Sequence, residues 1–357
     1  MDEHSFTFLK NLLDAAAPSG FETPAARIWR AEAETFAGGV DVDVAGNSYA
    51  TVGTEGGPRI MLAGHVDEIG LMVTHVDDDG MLYVDGIGGW DPQVLVGQRI
   101  RFLTRGGDIV GVVGKKPIHL IKADEKEKAV KLTDLWVDIG AKDGADAKER
   151  GVRVGDPGVV DTRVVELGNR MIASRAVDNR IGAYVVLEVL RTLSQGDPPA
   201  ALVTAVATTQ EEIGYSGGGA RPSAYRLDPR LAVVVDLTFA TDAPGVEKKQ
   251  QGDHKIGSGP VLSRGSAIHP LMFERMAETA EREGIPYTIQ GSPRLTSTDA
   301  DAIYLQRNGV ATSVISVPNR YMHSPNEVVS LDDVDATVAL IAAFCRGIRD
   351  EDDFIPR

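Results

Sequence analysis

The sequence predicts an α/β domain assembled from both ends of the chain, with a small β-rich module inserted in its middle. Three observations carry this. Up to about residue 70 and again from about residue 167, helix-period segments alternate with apolar strand runs. Between them, across residues 71–166, the texture changes to short strands broken by Gly and Asp turns. The chain, at 357 residues, is also longer than one typical core requires.

From the N-terminus, "FTFLKNLLDAAA" repeats apolar residues at helical spacing. After a turn at Pro18, "SGFE" offers a capping box to a second helix through "ARIWRAEAETFA". "GGVDVDVAGNSYATVG" alternates around a Gly-Asn turn and predicts a hairpin, and "RIMLAG" a short buried strand. In the middle module, "GLMVTHVDDDGMLYVDG", "QRIRFLTRGGDIVGVVG", "GVRVGDPGVV" and "TRVVEL" predict a small all-β, barrel-like unit. It is interrupted by "IKADEKEKAVK", too polar for core and expected to be a mobile loop. Beyond it, "NRIGAYVVLEVLRTL", "ALVTAVAT", "LAVVVD", "HPLMFERMAETAEREG", "ATSVISV" and "DDVDATVALIAAFCRGIR" restore the helix and strand alternation of a sheet covered by helices.

Composition narrows the function classes. A formal net charge of −15 and a pI near 4.9 argue against nucleic acid or an anionic membrane as partner. The single cysteine, Cys345, allows no intrachain disulfide and sits in an apolar helical pattern, where a buried inert thiol is expected. The N-terminus opens with acids, unlike a signal peptide, and no run of eighteen apolar residues marks a membrane span. The expectation is a cytoplasmic protein.

The polar residues just beyond each buried strand suggest the chemistry. His65 and Asp67 follow "RIMLAG", Glu211 and Glu212 follow "ALVTAVATTQ", Asp236 ends "LAVVVD", and His323 follows "ATSVISVPNRYM". Asp178, in "SRAVDNRIG", precedes a helix start. In an open α/β sheet, residues beyond the carboxyl ends of separate strands converge on one crevice. Each residue has an ordinary alternative: His65 could be structural, Asp178 a helix cap, Asp236 a solvated strand end and His323 a turn residue. Together they compose a metal site. Imidazole nitrogen plus carboxylate oxygen suits zinc, and also cobalt or manganese. The donors are too many for one open tetrahedral site but fit two divalent ions about 3.5 to 4 Å apart with a shared carboxylate. One member of the Glu211–Glu212 pair can then ligate while the other moves protons, equipment suited to amide hydrolysis. Asp67 is placed to orient the His65 ring. His4, His75, His119, His254 and His269 are expected to be surface or structural residues.

"AGHVDEIGLMV", "GGWDPQVLVGQRI", "SRAVDNRIGA", "TTQEEIG", "VVVDLTFATD" and "YMHSPNEV", in this order over nearly the whole chain, resemble the dinuclear metallo-aminopeptidases that assemble as tetrahedral dodecamers. The resemblance implies a mixed-sheet zinc-peptidase catalytic domain of the phosphorylase/hydrolase-like fold, residues 1–70 plus 167–357. The inserted module, residues 71–166, would be the dimerisation domain, and "IKADEKEKAVK" a flexible loop near a neighbouring active site. It implies His65, Asp178 and Asp236 as ligands of one ion, and Asp178, Glu212 and His323 as ligands of the other, with Asp178 bridging. Glu211 would be the general acid/base and Asp67 the residue orienting His65. The Asp178–Asn179 peptide is commonly cis in that family. By the same resemblance, dimers would build a hollow homo-dodecamer that admits oligopeptides. Thr298 and Asp299 fall where the family lines its cleft. Lys248, Lys249 and Lys255 are candidates to favour acidic side chains.

Two alternatives compete with this. Aminoacylases and dipeptidases use a similar site, but their smaller domain is usually inserted after the paired glutamates and the next metal acid; here it falls between His65 and Asp178. A self-assembling shell with structural metals would need no spare carboxylate such as Glu211.

Overall fold

Apolar residues at helical spacing form the first two helices, α1 (Glu3–Asp14) and α2 (Thr23–Ala33). Phe8, Leu9, Leu12 and Leu13 of α1 and Trp29 of α2 are buried, one apolar stripe on each helix. The capping box expected at "SGFE" does not form: Glu22 stands at the N-cap of α2 without a side-chain cap bond. Its carboxylate instead accepts from the Gly20 and Gln210 amides, and the Ser19 hydroxyl donates to Asp67. Tertiary partners near the strand ends have displaced a local motif.

The computed structural model describes residues 1–122, 126–214 and 217–357. The predicted hairpin is present as β1 (Gly39–Val42) and β2 (Ser48–Gly53), followed by β3 (Arg59–His65). The chain then leaves through β4 (Gly70–Val76), β5 (Leu82–Ile87), α3 (Pro92–Leu95), β6 (Arg99–Thr104), β7 (Gly107–Gly114), β8 (Trp136–Asp138), α4 (Gly144–Glu149) and β9 (Pro157–Val160). These six strands close into a barrel in the order β4-β5-β8-β7-β6-β9. Closure removes the unpaired edges that short strands would otherwise expose. Leu71, Val73, Ile100, Phe102 and Val137 fill its interior as a core of their own. At Gly158 a Cβ would stand 2.8 Å from both Ile100 and Phe102, so glycine is what lets β9 close against β6. The loop expected within 121–131 includes residues 123–125, which lie outside the described residues.

"TRVVEL" forms only β10 (Val165–Glu166), and this pairs with β11 (Met171–Ser174), outside the barrel. The chain continues as α5 (Val177–Ser194), β12 (Leu202–Thr208), α6 (Ala220–Leu227), β13 (Leu231–Phe239) and α7 (Lys248–Gln251). It ends with β14 (Val261–Gly265), α8 (Pro270–Glu283), β15 (Thr288–Ser292), α9 (Ala300–Ile303), β16 (Ala311–Asn319), β17 (Glu327–Ser330) and α10 (Leu331–Gly347). Eight strands make one mixed sheet in the order β1-β2-β12-β3-β13-β16-β14-β15, and β17 joins β11 and β10 in a separate antiparallel sheet. The central strands β12, β3, β13 and β16 are mutually parallel and apolar along their length, as strands covered on both faces must be. β14 and β15 are not evident from the sequence, because Ser263, Gln290 and Ser292 interrupt the kind of apolar run that marks β12 and β13.

Register aligns the strand ends. β12 pairs with β3 through Thr208 opposite His65, and β13 pairs with β3 through Val234 opposite Ala63. Two residues further on, Asp236 is level with His65. On one face α5 lies so close that a Cβ on Gly64 would come within 2.4 Å of the Gly182 carbonyl carbon. That approach brings the start of α5, with Asp178, over the carboxyl end of β3.

Candidate metal centre

Six of the seven residues singled out in the sequence, His65, Asp178, Glu211, Glu212, Asp236 and His323, line one cavity of about 290 Å³. The seventh, Asp67, is fully buried beside them. His65 Nε2 stands 3.4 Å from Asp178 Oδ1 and 3.7 Å from Glu211 Oε2. His323 Nε2 stands 3.6 Å from Asp178 Oδ2 and 3.4 Å from Glu212 Oε2. Asp178 therefore offers one oxygen to each imidazole. Donor atoms of His65, Asp178 and Glu212 lie within 4.8 Å of one another, as do those of His65, Glu211 and Asp236.

Local structure explains how each side chain is held. Asp178 and Asn179 have non-helical backbone angles, and the peptide between them is cis. Asn179 Oδ1 accepts from the Gly182 amide at 2.9 Å and so caps the regular part of α5. Asp178 is thereby free of the capping duty. The Asp67 carboxylate accepts from the Glu211 and Glu212 amides, at 3.3 and 3.2 Å, and from Ser19. It also lies 3.4 Å from His65 Nδ1, which is 3.3 Å from the Asp67 carbonyl. One buried acid thus fixes both the imidazole and the backbone of the glutamate pair. His323 Nδ1 is 2.9 Å from the Gly89 carbonyl, which the barrel segment contributes. With Nδ1 donating there, Nε2 is the nitrogen presented to Asp178 and Glu212.

The charge balance of this donor set calls for a cation. Burial pushes the Glu211 carboxyl up to about 10, with His65 opposing and Asp236, Asp299 and Glu212 adding to the rise. Burial likewise raises Glu212, against the His323 hydrogen bond, and raises Asp236, where Asp178 adds to it. Burial would lower both imidazoles, but surrounding carboxylates outweigh it: Glu211, Asp67 and Asp178 hold His65 up, and Glu212, Asp178 and Glu327 raise His323 to about 9. Glu212 Oε1 is buried and has no hydrogen-bond partner among the described residues. An orphaned carboxylate oxygen among crowded acids and two imidazoles fits divalent metal.

Glu327 carries no role that the sequence alone suggests. Its carboxylate accepts from the Asp178 amide at 2.9 Å and from the His323 amide at 2.8 Å, and so ties two of the candidate ligands to one buried side chain. Its place four residues after His323 in "YMHSPNEV" is the available signal. Asp299 is buried and accepts from Thr208, and Thr298 lines the cavity. Lys248 pairs with Asp253 and Lys249 with Glu247, and neither they nor Lys255 line the cavity. Cys345 is buried, its thiol pushed up to about 12 by that burial. No helix among the described residues is long and apolar enough to cross a membrane.

A mixed α/β sheet that gathers acids and imidazoles at its strand ends, with a closed barrel inserted, fits a metal-dependent hydrolase. The chain belongs to the M42 glutamyl aminopeptidase family, whose model matches residues 46–340. It is 36% identical to the lysyl aminopeptidase of Pyrococcus furiosus over 98% of each chain. The TET aminopeptidase of the marine sediment archaeon Thaumarchaeota archaeon SCGC AB-539-E09 superposes with a TM-score of 0.93 at 33% identity, over 97% of each chain. The Pyrococcus horikoshii TET1 peptidase, which can assemble into a tetrahedron or a large octahedral shell, superposes with a TM-score of 0.84 at 28% identity, over 96% of this chain and all of that one. The chain is a metal-dependent aminopeptidase, a hydrolase of peptide bonds.

Proposed function

We propose that the protein removes N-terminal residues from oligopeptides by two-metal hydrolysis, with Glu211 as general acid/base. The observation that carries this is the position of Asp178, one carboxylate oxygen 3.4 Å from His65 Nε2 and the other 3.6 Å from His323 Nε2. In this reading His65, Asp178 and Asp236 hold one ion, and Asp178, Glu212 and His323 hold the other, zinc being the expected metal and cobalt or manganese also suiting the donors. Ions so held would polarise the scissile carbonyl and make water acidic enough to yield a proton near neutral pH.

The chain's own residues do the rest. Glu211, beside His65 and outside both ligand sets, takes the proton of the attacking water and returns it to the departing amine. Asp67 keeps that carboxylate in place through the Glu211 amide and keeps His65 oriented. The acids around Glu211 and Asp236 favour a cationic α-amine, which a blocked N-terminus lacks. The inserted module, residues 71–166, is read as the dimerisation domain, with dimers building a homo-dodecamer in the cytoplasm. Outward Val110 and Val112, about half exposed, support that reading. The test is the initial hydrolysis rate on aminoacyl anilides and their N-acetylated counterparts, with zinc, cobalt, manganese or chelator. Metal-dependent cleavage of the free-amine set alone is expected. Preference for the acetylated set would make the protein an aminoacylase, and silence with every metal would favour an assembly protein.

A further inference from the structure

The cavity that holds the acids and imidazoles also has a second wall. Leu237, Thr238 and Phe239 continue β13 beyond Asp236, and Ser263, Gln290 and Ser292 come from β14 and β15. Val314, Ser316 and Met322 close it, and among the described residues no lysine or arginine lines it. Its charged groups are all members of the candidate metal centre: His65, Asp178, Glu211, Glu212, Asp236 and His323. Thr296, Ser297 and Thr298 complete the neutral wall; the Thr296 hydroxyl donates to Asp301 at 2.7 Å and pairs with the Thr298 hydroxyl at 2.9 Å, so both are engaged within their own loop. Thr238 Oγ1 donates to Gln290 Oε1 at 2.9 Å, which engages the amide oxygen and leaves the Gln290 NH₂ as a donor for whatever enters.

We infer that this wall is the seat of the substrate's N-terminal side chain and that it selects an uncharged one, with Gln290 as the specificity-determining residue. The inference rests on the aminopeptidase reading. A glutamate side chain entering here finds no cation outside the metal centre and lies beside its carboxylates. A lysine or arginine side chain loses its hydration and finds no carboxylate that the reaction does not already use. Charges desolvated without a partner are strongly disfavoured. Uncharged side chains of moderate size have instead the Val314, Met322 and Phe239 surfaces, the serine hydroxyls and the Gln290 amide. The three lysines on the segment around α7 do not alter this, since they lie off the cavity.

The test is kcat/KM for the assembled, metal-loaded enzyme on leucyl, methionyl, glutaminyl, glutamyl and lysyl anilides, repeated with Q290E and Q290K. The uncharged substrates are expected to exceed both charged ones by at least about ten-fold. Q290E should then raise lysyl relative to leucyl hydrolysis by about ten-fold, and Q290K should do the same for glutamyl hydrolysis, since an unpaired charge in the pocket gains a partner. Leucyl hydrolysis in each variant serves as the internal control for folding and metal content. Wild-type preference for glutamyl or lysyl substrate would overturn the inference and leave the aminopeptidase reading standing. Variants that slow all five substrates in the same ratio would remove Gln290 from the selection. No hydrolysis of any of the five by metal-loaded wild-type enzyme would overturn the aminopeptidase reading and this inference with it.

Discussion

The main sheet and the inserted barrel break opposite rules of burial. At the carboxyl ends of β3 and β13 the sheet buries ionisable groups, with His65, Asp67 and Asp236 each at 6% exposure or less. The barrel does the reverse: its interior is apolar, and Val110, Val112 and Val154 are left on its outside. Buried acids are costly without a counter-charge, and exposed apolar side chains need covering to contribute stability. The contrast supports the proposal that one region is built around cations and the other around a partner surface, and substitutions should separate the two.

The largest effect is expected at Glu211. Glu211→Gln should lower turnover by at least about a hundred-fold while metal content and oligomer size stay as in the wild type. Loss of metal or of the assembly in that variant, measured by elemental analysis and sedimentation, would show that Glu211 holds structure and not protons. Next come the ligands: His323→Ala and Asp178→Asn should release metal, and activity should fall with it. Retention of the full metal content in either would remove that residue from the ligand set. Glu327→Gln should act more mildly, costing about 10–100-fold in metal affinity or activity, because one oxygen remains to accept from the Asp178 or His323 amide. Metal titration of that variant checks it. The smallest effect on chemistry is expected on the barrel. Replacing Val110 and Val112 by Asp should shrink the oligomer in sedimentation, yet change subunit stability by less than about 1 kcal/mol, since both side chains face away from the barrel core. An unchanged oligomer would end the reading of that face as an interface.

How much of this is legible in the sequence differs between the two regions for a physical reason. Long apolar runs announce β12, β13 and β16, and the polar residue beyond each run is conspicuous because strand ends in an α/β sheet are where ligands bind. His65, Asp67, Glu211, Glu212, Asp236 and His323 can be picked out that way. Asp178 can be read with equal ease as a helix cap, and only the structure assigns that duty to Asn179. Glu327 and Gln290 begin or occupy short strands without a marking run, so nothing local distinguishes them from ordinary turn and edge residues. Ser19 and Glu22 mislead in the other direction: their spacing suits a capping box, but their side chains bond across the fold to Asp67 and Gln210. In the barrel, composition indicates strands and turns but not the pairing order, because short strands of similar pattern do not specify neighbours. Hence β10, which by pattern belongs to that module, pairs with β11 instead.

The proposed function requires that the strand-end cluster bind two ions and that peptide hydrolysis depend on both. The most direct test is to strip the protein with chelator, return zinc or cobalt in steps, and follow bound metal per subunit and hydrolysis of a free-amine anilide in the same samples. Activity that rises to its plateau as the second ion per subunit is bound is the predicted result. Full activity in chelator, or a plateau of metal binding reached with no hydrolysis, would contradict it.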